Sequence, residues 1–167
     1  ALLFDRVKDK EEAASLKIDP IDLVVCNLYP FQEVLEKGAD FETLIEHIDI
    51  GGPTMIRASA KNFKYVATVT QPTDYNELQA QLKSNNGALT YEFRKKLMCK
   101  AFNHTADYDA LIATTMDKEI GVNSLRLGFE EGVDLRYGEN SHQKAQFYHQ
   151  KGAANSLYNL NVLHGKA

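Results

Sequence analysis

Two short runs of branched apolar residues constrain this chain more than anything else in it. Behind Pro20 come Ile21, Leu23, Val24 and Val25, and farther on the segment Tyr65 to Thr70 carries Val66 and Val69. A nearly continuous apolar strand suits a sheet covered on both faces, and parallel strands need a long crossover, usually helical. The intervening residues have that character. Asp40 can cap a helix with Phe41, Leu44, Ile45 and Ile48 on one face, and Pro53 suits the first position of another whose buried face is Met55, Ile56, Ser59 and Ala60. A further helix is expected over Asp74 to Leu82, closed by Asn85-Asn86-Gly87. Thr90 then caps a long one with Phe93, Leu97, Ala101, Tyr108, Leu111 and Ile112 on one side and a break expected near Thr105. This alternation predicts an α/β domain with a mainly parallel sheet, in which Ile21 to Val25 is a buried strand.

The helical pattern gives out in the polar stretch from Asp117 to Asn123, which sets a domain boundary, with residues 1–122 before it and 123–167 after. Beyond it Leu125 to Phe129 and Gln146 to Tyr148 read as short strands around a Gly-containing turn. A chain of 167 residues can bury one real core but hardly two. The net charge of -4, without a basic stripe, argues against a nucleic-acid partner. No apolar run approaches the roughly 20 residues that span a bilayer, so no membrane role is expected. Cys26 and Cys99 lie at neither zinc nor disulfide-framework spacing, and a reducing, cytoplasmic compartment fits them. Ala1 and the run Asn161 to Ala167 read as cut ends rather than natural termini.

In an open α/β sheet, ligands collect beyond the carboxyl ends of the strands, where Cys26-Asn27-Leu28-Tyr29-Pro30-Phe31 begins. Asn27 offers donor and acceptor, and Tyr29 a phenol. The same loop could equally be an ordinary strand-to-helix turn. In Asp49-Ile50-Gly51-Gly52-Pro53-Thr54 the two glycines can bare backbone amides at a helix N-terminus, a setting that favours a polarised oxygen or phosphate. Asp49 beside them could orient a substrate amide or relay a proton, although a plain helix-to-helix turn would look the same. Lys61 could stabilise an oxyanion, and Arg57, four residues earlier, is as good a candidate on spacing. Arg136 and Tyr137, with His142 close behind, suit gripping a phosphate while stacking on a flat ring, or are solvated linker residues. His47, His104, His149 and His164 have no ligand spacing and read as structural or exposed.

Four motifs in order carry a family resemblance. Asn27-Leu28-Tyr29-Pro30-Phe31, Ile48-Asp49-Ile50-Gly51-Gly52-Pro53-Thr54, Ala60-Lys61-Asn62 and Leu135-Arg136-Tyr137-Gly138-Glu139-Asn140 closely resemble the bifunctional purine-biosynthesis family that joins AICAR transformylase to IMP cyclohydrolase. The segment Lys100 to Asp109 is similar too, so the likeness covers nearly the whole chain. It implies a cyclohydrolase domain of methylglyoxal-synthase-like α/β fold, incomplete here, followed by the first segment of a cytidine-deaminase-like transformylase domain.

The resemblance also implies a chemistry. A cyclohydrolase closes formyl-AICAR to IMP with loss of water, and needs no metal for that step. A transformylase supplies the formyl group to AICAR from 10-formyltetrahydrofolate. Cys26, Asn27, Tyr29, Asp49, Ile50, Gly51 and Gly52 match positions around the cyclohydrolase nucleotide, and Lys61 matches the proton-transfer position, which leaves Arg57 to the scaffold. Arg136 and Tyr137 match AICAR-binding positions of the transformylase. The family is homodimeric, with transformylase sites shared between chains. Its amino-terminal phosphate loop, its Arg-x-Lys-Thr segment and its formyl-transferring Lys-His pair have no counterpart in these residues. Ser141 stands where the family usually has Pro, and Phe63 where it often has His. A non-catalytic nucleotide-sensing domain of the same fold, or an assembly fragment, are the rival readings.

Overall fold

A computed structural model describes residues 7–150, 153, 157, 160, 161, 163 and 164. The expectation about the run from Asn161 to Ala167 falls largely outside them, and that about Ala1 wholly so. The chain divides into two compact units, residues 1–122 and 123–167.

The first unit runs α1 (Val7–Ser15), β1 (Leu23–Val25), α2 (Phe31–Glu36), α3 (Phe41–Glu46), α4 (Gly51–Lys61), β2 (Ala67–Val69), α5 (Tyr75–Ser84) and α6 (Tyr91–Glu119). β1 and β2 pair in parallel with Leu23 opposite Ala67 and Val25 opposite Val69, and α2 to α4 form the crossover between them. Every residue of β2 is buried. The expectation of a buried strand fails for β1, however, since Leu23 and Val25 are 37% and 49% exposed. An apolar run records a tendency to be covered, and the described residues cover only one of these two strands.

Local chemistry explains most of the boundaries. Asp40 caps α3 by accepting from the Thr43 amide at 2.8 Å, and Thr90 caps α6 by accepting from the Phe93 amide at 3.2 Å, as the sequence predicts. Gly38, at φ +73°, stops α2, with its amide donating to Leu35 and that of Ala39 to Val34. Neither α1 nor α2 is anticipated by the sequence pattern; each is short, and α1 buries only Ala13. α4 begins at Gly51, two residues before the expected Pro53.

The expected break near Thr105 is also absent, and α6 runs unbroken for 29 residues, roughly 44 Å. The Thr105 hydroxyl turns back to donate to Phe102 O at 3.1 Å, which satisfies it without opening the helix. α6 serves as the spine. Phe93 and Leu97 close a cluster with Ala67, Val69 and Leu78; Ala101 packs with Ile56 and Ala60; Tyr108 packs with Phe31 and Leu44.

In the second unit β3 (Phe129–Leu135) and β4 (Ala145–Gln150) form an antiparallel hairpin with a bulge between Glu130 and Val133. Gln146 to Tyr148 lies within β4 as expected. Leu125 to Phe129 does not form the other strand, which starts only at Phe129 and extends to Leu135, where partners exist across the hairpin. At the bulge a side chain on Gly132 would stand 2.6 Å from the Tyr148 ring, so the ring lies where only glycine leaves room.

Candidate functional site

The carboxyl end of β1 leads straight into the loop Cys26 to Pro30. The Cys26 amide donates to Val69 O at 3.0 Å, extending the parallel ladder by one bond before the loop departs. Against this loop sits the turn between α3 and α4, and Asp49 ties the two together. Its Oδ1 accepts from the Gly52 amide at 2.7 Å, and its Oδ2 from the Tyr29 amide at 3.3 Å. A carboxylate placed at a helix N-terminus in this way satisfies an amide that has no partner within the helix and interacts favourably with the helix dipole. The approach is so close that a Cβ on Gly52 would lie 2.6 Å from Asp49 Oδ2 and 2.6 Å from Leu28 Cδ2, whereas a Cβ on Gly51 would meet nothing within 4 Å.

This corrects one expectation. The Gly52 amide is not bared for a ligand, because Asp49 already occupies it. A carboxylate offers about four lone-pair sites. With two filled by backbone amides, Asp49 keeps capacity for a further donor, and its half-buried position leaves it reachable.

Around it the side chains have distinct environments. Tyr29 is 56% exposed, Ile50 is 76% exposed, and Asn27 is also exposed, so all three are open to solvent at the loop surface. Cys26 is half-buried; burial, and then the charge of Asp49, push its thiol pKa upward. From beneath, the Tyr108 hydroxyl accepts the Asp49 amide at 2.8 Å and donates to His47 O at 3.3 Å. Burial, above all, raises the Tyr108 pKa; the Asp49 and Asp109 charges add to it, against the lowering by the Asp49 amide. His47 Nδ1 lies 2.7 Å from Thr43 O, a structural contact.

Cys26, Tyr29, Asp49 and Gly52 thus converge, with Asn27, Ile50 and Gly51 beside them in the same two segments. Lys61 does not touch them. It closes α4, ten residues after Gly51, or about 15 Å along the helix axis. Lys61 and Arg57 differ in surroundings: the Arg57 guanidinium stands 5.6 Å over the Phe102 ring, while Lys61 is exposed and has no ion pair or hydrogen bond among the described residues. Sequence spacing could not separate these two. Nor could it find Tyr108, 59 residues from the amide it holds.

In the second unit Arg136 and Tyr137 open the connection between β3 and β4, with the guanidinium 6.0 Å from the Tyr137 ring centroid. Both are exposed, as is His142. Gln143 closes the loop: its carbonyl accepts from the Gly138 amide at 2.9 Å and its Oε1 from the Asn140 amide at 2.9 Å. Among the described residues no group of His, Cys, Asp or Glu could hold a metal ion, and no helix is long and apolar enough to cross a membrane.

Comparison with known proteins gives a consistent result. A family model described as AICARFT/IMPCHase bienzyme matches residues 59–167, and one described as MGS-like domain matches residues 4–54. The bifunctional purine biosynthesis protein PurH of Rhizobium rhizogenes is 51% identical over 84% of this chain and 27% of its own length. Its namesake from Bacillus mycoides is 48% identical over 96% of this chain and 33% of its own length. A solved structure described as "Crystal structure of ForH" superimposes with a TM-score of 0.58 at 34% identity, covering 67% of this chain and 58% of that one. The chain therefore spans about a third of the length of the curated relatives it matches. An MGS-like segment followed by a bienzyme segment, on a mixed α/β scaffold with small parallel and antiparallel sheets among the described residues, places this chain in the AICARFT/IMPCHase bienzyme family.

Proposed function

We propose that residues 1–122 carry most of an IMP cyclohydrolase domain and residues 123–167 the opening of a cytidine-deaminase-like AICAR transformylase. The reading rests on the bienzyme match over residues 59–167 combined with one observation: a carboxylate anchored at the N-terminus of α4, at the end of a parallel strand, with acceptor capacity to spare.

Ring closure joins the carboxamide nitrogen of formyl-AICAR to its formyl carbon, and the formyl oxygen leaves as water. An amide nitrogen is a poor nucleophile; both reacting groups already belong to one molecule, so the contribution of the site is to hold the carboxamide turned against the formyl carbon in a near-attack geometry. Asp49 accepts a carboxamide N–H through its unfilled lone pairs and so aims the nitrogen. Tyr29 assists proton movement from the loop, and Cys26, Asn27, Ile50 and Gly51 line the nucleotide. Lys61 donates to the oxygen that becomes the departing water. In the second unit Arg136 grips the AICAR phosphate while Tyr137 stacks on its ring, for a transformylase that takes its formyl group from 10-formyltetrahydrofolate. The complete protein is a cytosolic homodimer; sedimentation at twice the chain mass checks the assembly.

The experiment is a crossed pair of variants in the full-length bienzyme containing this segment. Lys61→Ala lowers ring closure about 100- to 1,000-fold, the usual consequence of losing one oxyanion donor, and spares formyl transfer. Arg136→Ala raises the KM for AICAR in formyl transfer and spares ring closure. Ring closure by Lys61→Ala within about threefold of the parent would remove Lys61 from the catalytic machinery, whereas a parent protein with no ring closure at all would favour a nucleotide-sensing domain. Collapse of ring closure in Arg136→Ala would reverse the assignment of the units.

A further inference from the structure

The segment Lys100 to Asp109 resembles the family, yet the function proposed above gives none of its residues a role. One of them reaches the site. Tyr108 is 9% exposed, on the spine helix α6, and its ring meets Phe31 edge-on at 6.4 Å between centroids. Its hydroxyl is the acceptor for the Asp49 amide and a donor to His47 O, so one phenol holds two backbone groups of the turn that presents Asp49. The Asp49 side chain then spans Gly52 and Tyr29. Each bond has a partner that cannot easily move: the Tyr108 ring is packed among Phe31 and Leu44, and Gly52 is inside α4.

We propose that Tyr108 is a positioning residue for ring closure, fixing the Asp49 carboxylate through the Asp49 backbone amide. This rests on the reading of Asp49 as the group that aims the substrate carboxamide. Tyr108 touches no reacting atom. Without its hydroxyl the Asp49 amide loses its acceptor in a half-buried turn, and the turn must rotate or take in water to satisfy it. The carboxylate shifts with it, and orientation catalysis is sensitive to small displacements of this kind.

The test uses Tyr108→Phe, which keeps the ring and its contact with Phe31, in the full-length bienzyme containing this segment. Hydrogen exchange of peptides covering residues 47–53, read by mass spectrometry, reports the turn without reference to activity. It is expected to rise at the Asp49 and Gly52 amides while peptides from β2 and α5 keep their protection. The kcat for ring closure is expected to fall roughly 2- to 10-fold, the range of one net hydrogen bond, with KM little changed. In an Asp49→Ala background the same change should cost no further activity. Unchanged exchange at residues 47–53 overturns the inference, and so does a full additional loss of kcat in the Asp49→Ala background. If exchange rises but Asp49→Ala alone keeps the parental kcat, Tyr108 holds the turn and it is the catalytic reading of Asp49 that fails.

Discussion

Replacing Gly52 by alanine sets two effects of opposite sign against each other, and the structure decides between them. Within a helix Gly→Ala is ordinarily stabilising by about 1 kcal/mol. At Gly52 the new methyl would stand 2.6 Å from Asp49 Oδ2, 2.8 Å from Asp49 Cγ and 2.6 Å from Leu28 Cδ2. These are side-chain atoms, and a free side chain would swing away cheaply. Neither is free. Asp49 is held by bonds from the Gly52 and Tyr29 amides and, through its own amide, by Tyr108. Leu28 packs against both the Phe31 cluster and the Ile56 cluster. Overpacking of this kind costs about 1–3 kcal/mol, and a broken hydrogen bond to a charged acceptor about 1.5–3. Net destabilisation of about 1–3 kcal/mol is therefore expected after the gain in helix propensity. Gly51→Ala is the matched control, since nothing lies within 4 Å of its Cβ, and it should be neutral or slightly stabilising. Urea unfolding of both variants, compared at equal m-values, measures the difference. A Gly52→Ala variant within about 0.5 kcal/mol of Gly51→Ala would refute the close-packed carboxylate argued here.

Two further outcomes concern the scaffold. Asp74 is 4% exposed, its Oδ1 is bonded to the Lys100 ammonium, and its Oδ2 has no hydrogen-bond partner among the described residues. Lys100→Met strands that carboxylate and should cost up to about 3–5 kcal/mol, largely recovered by adding Asp74→Asn; urea unfolding with a loss under about 1 kcal/mol would contradict it. Asp40 has its pKa lowered, first by the Thr43 amide and then by the Thr43 side chain. A lowered folded-state pKa means that the cap's contribution is full above the ordinary Asp value of about 3.9 and is lost as pH falls through the lowered value. The stability gap between the parent and Asp40→Ala should therefore narrow on acidification, and a gap independent of pH would count against the cap.

What the sequence determined by itself was local or periodic. The caps at Asp40 and Thr90, the strand within Tyr65 to Thr70 and the stripe of α6 each depend on a residue type at a short, regular spacing, and each is visible along the chain. Ordered motifs likewise pointed to the bienzyme family. Burial of β1, a break at Thr105 and a strand from Leu125 were misjudged, because apolar runs and lone β-branched residues state a preference whose outcome depends on neighbours elsewhere in the chain. Tertiary structure alone decided the contacts of the site. Whether Asp49 faces a ligand or a helix amide, why Gly52 differs from Gly51, and that Arg57 stacks on Phe102 while Lys61 stays open follow from the packing of α4 against the loop after β1 and against α6. Tyr108 shows the reason most plainly: its bond to Asp49 joins residues 59 apart, and such a pairing has no periodicity to read until the helix that carries it is packed in place.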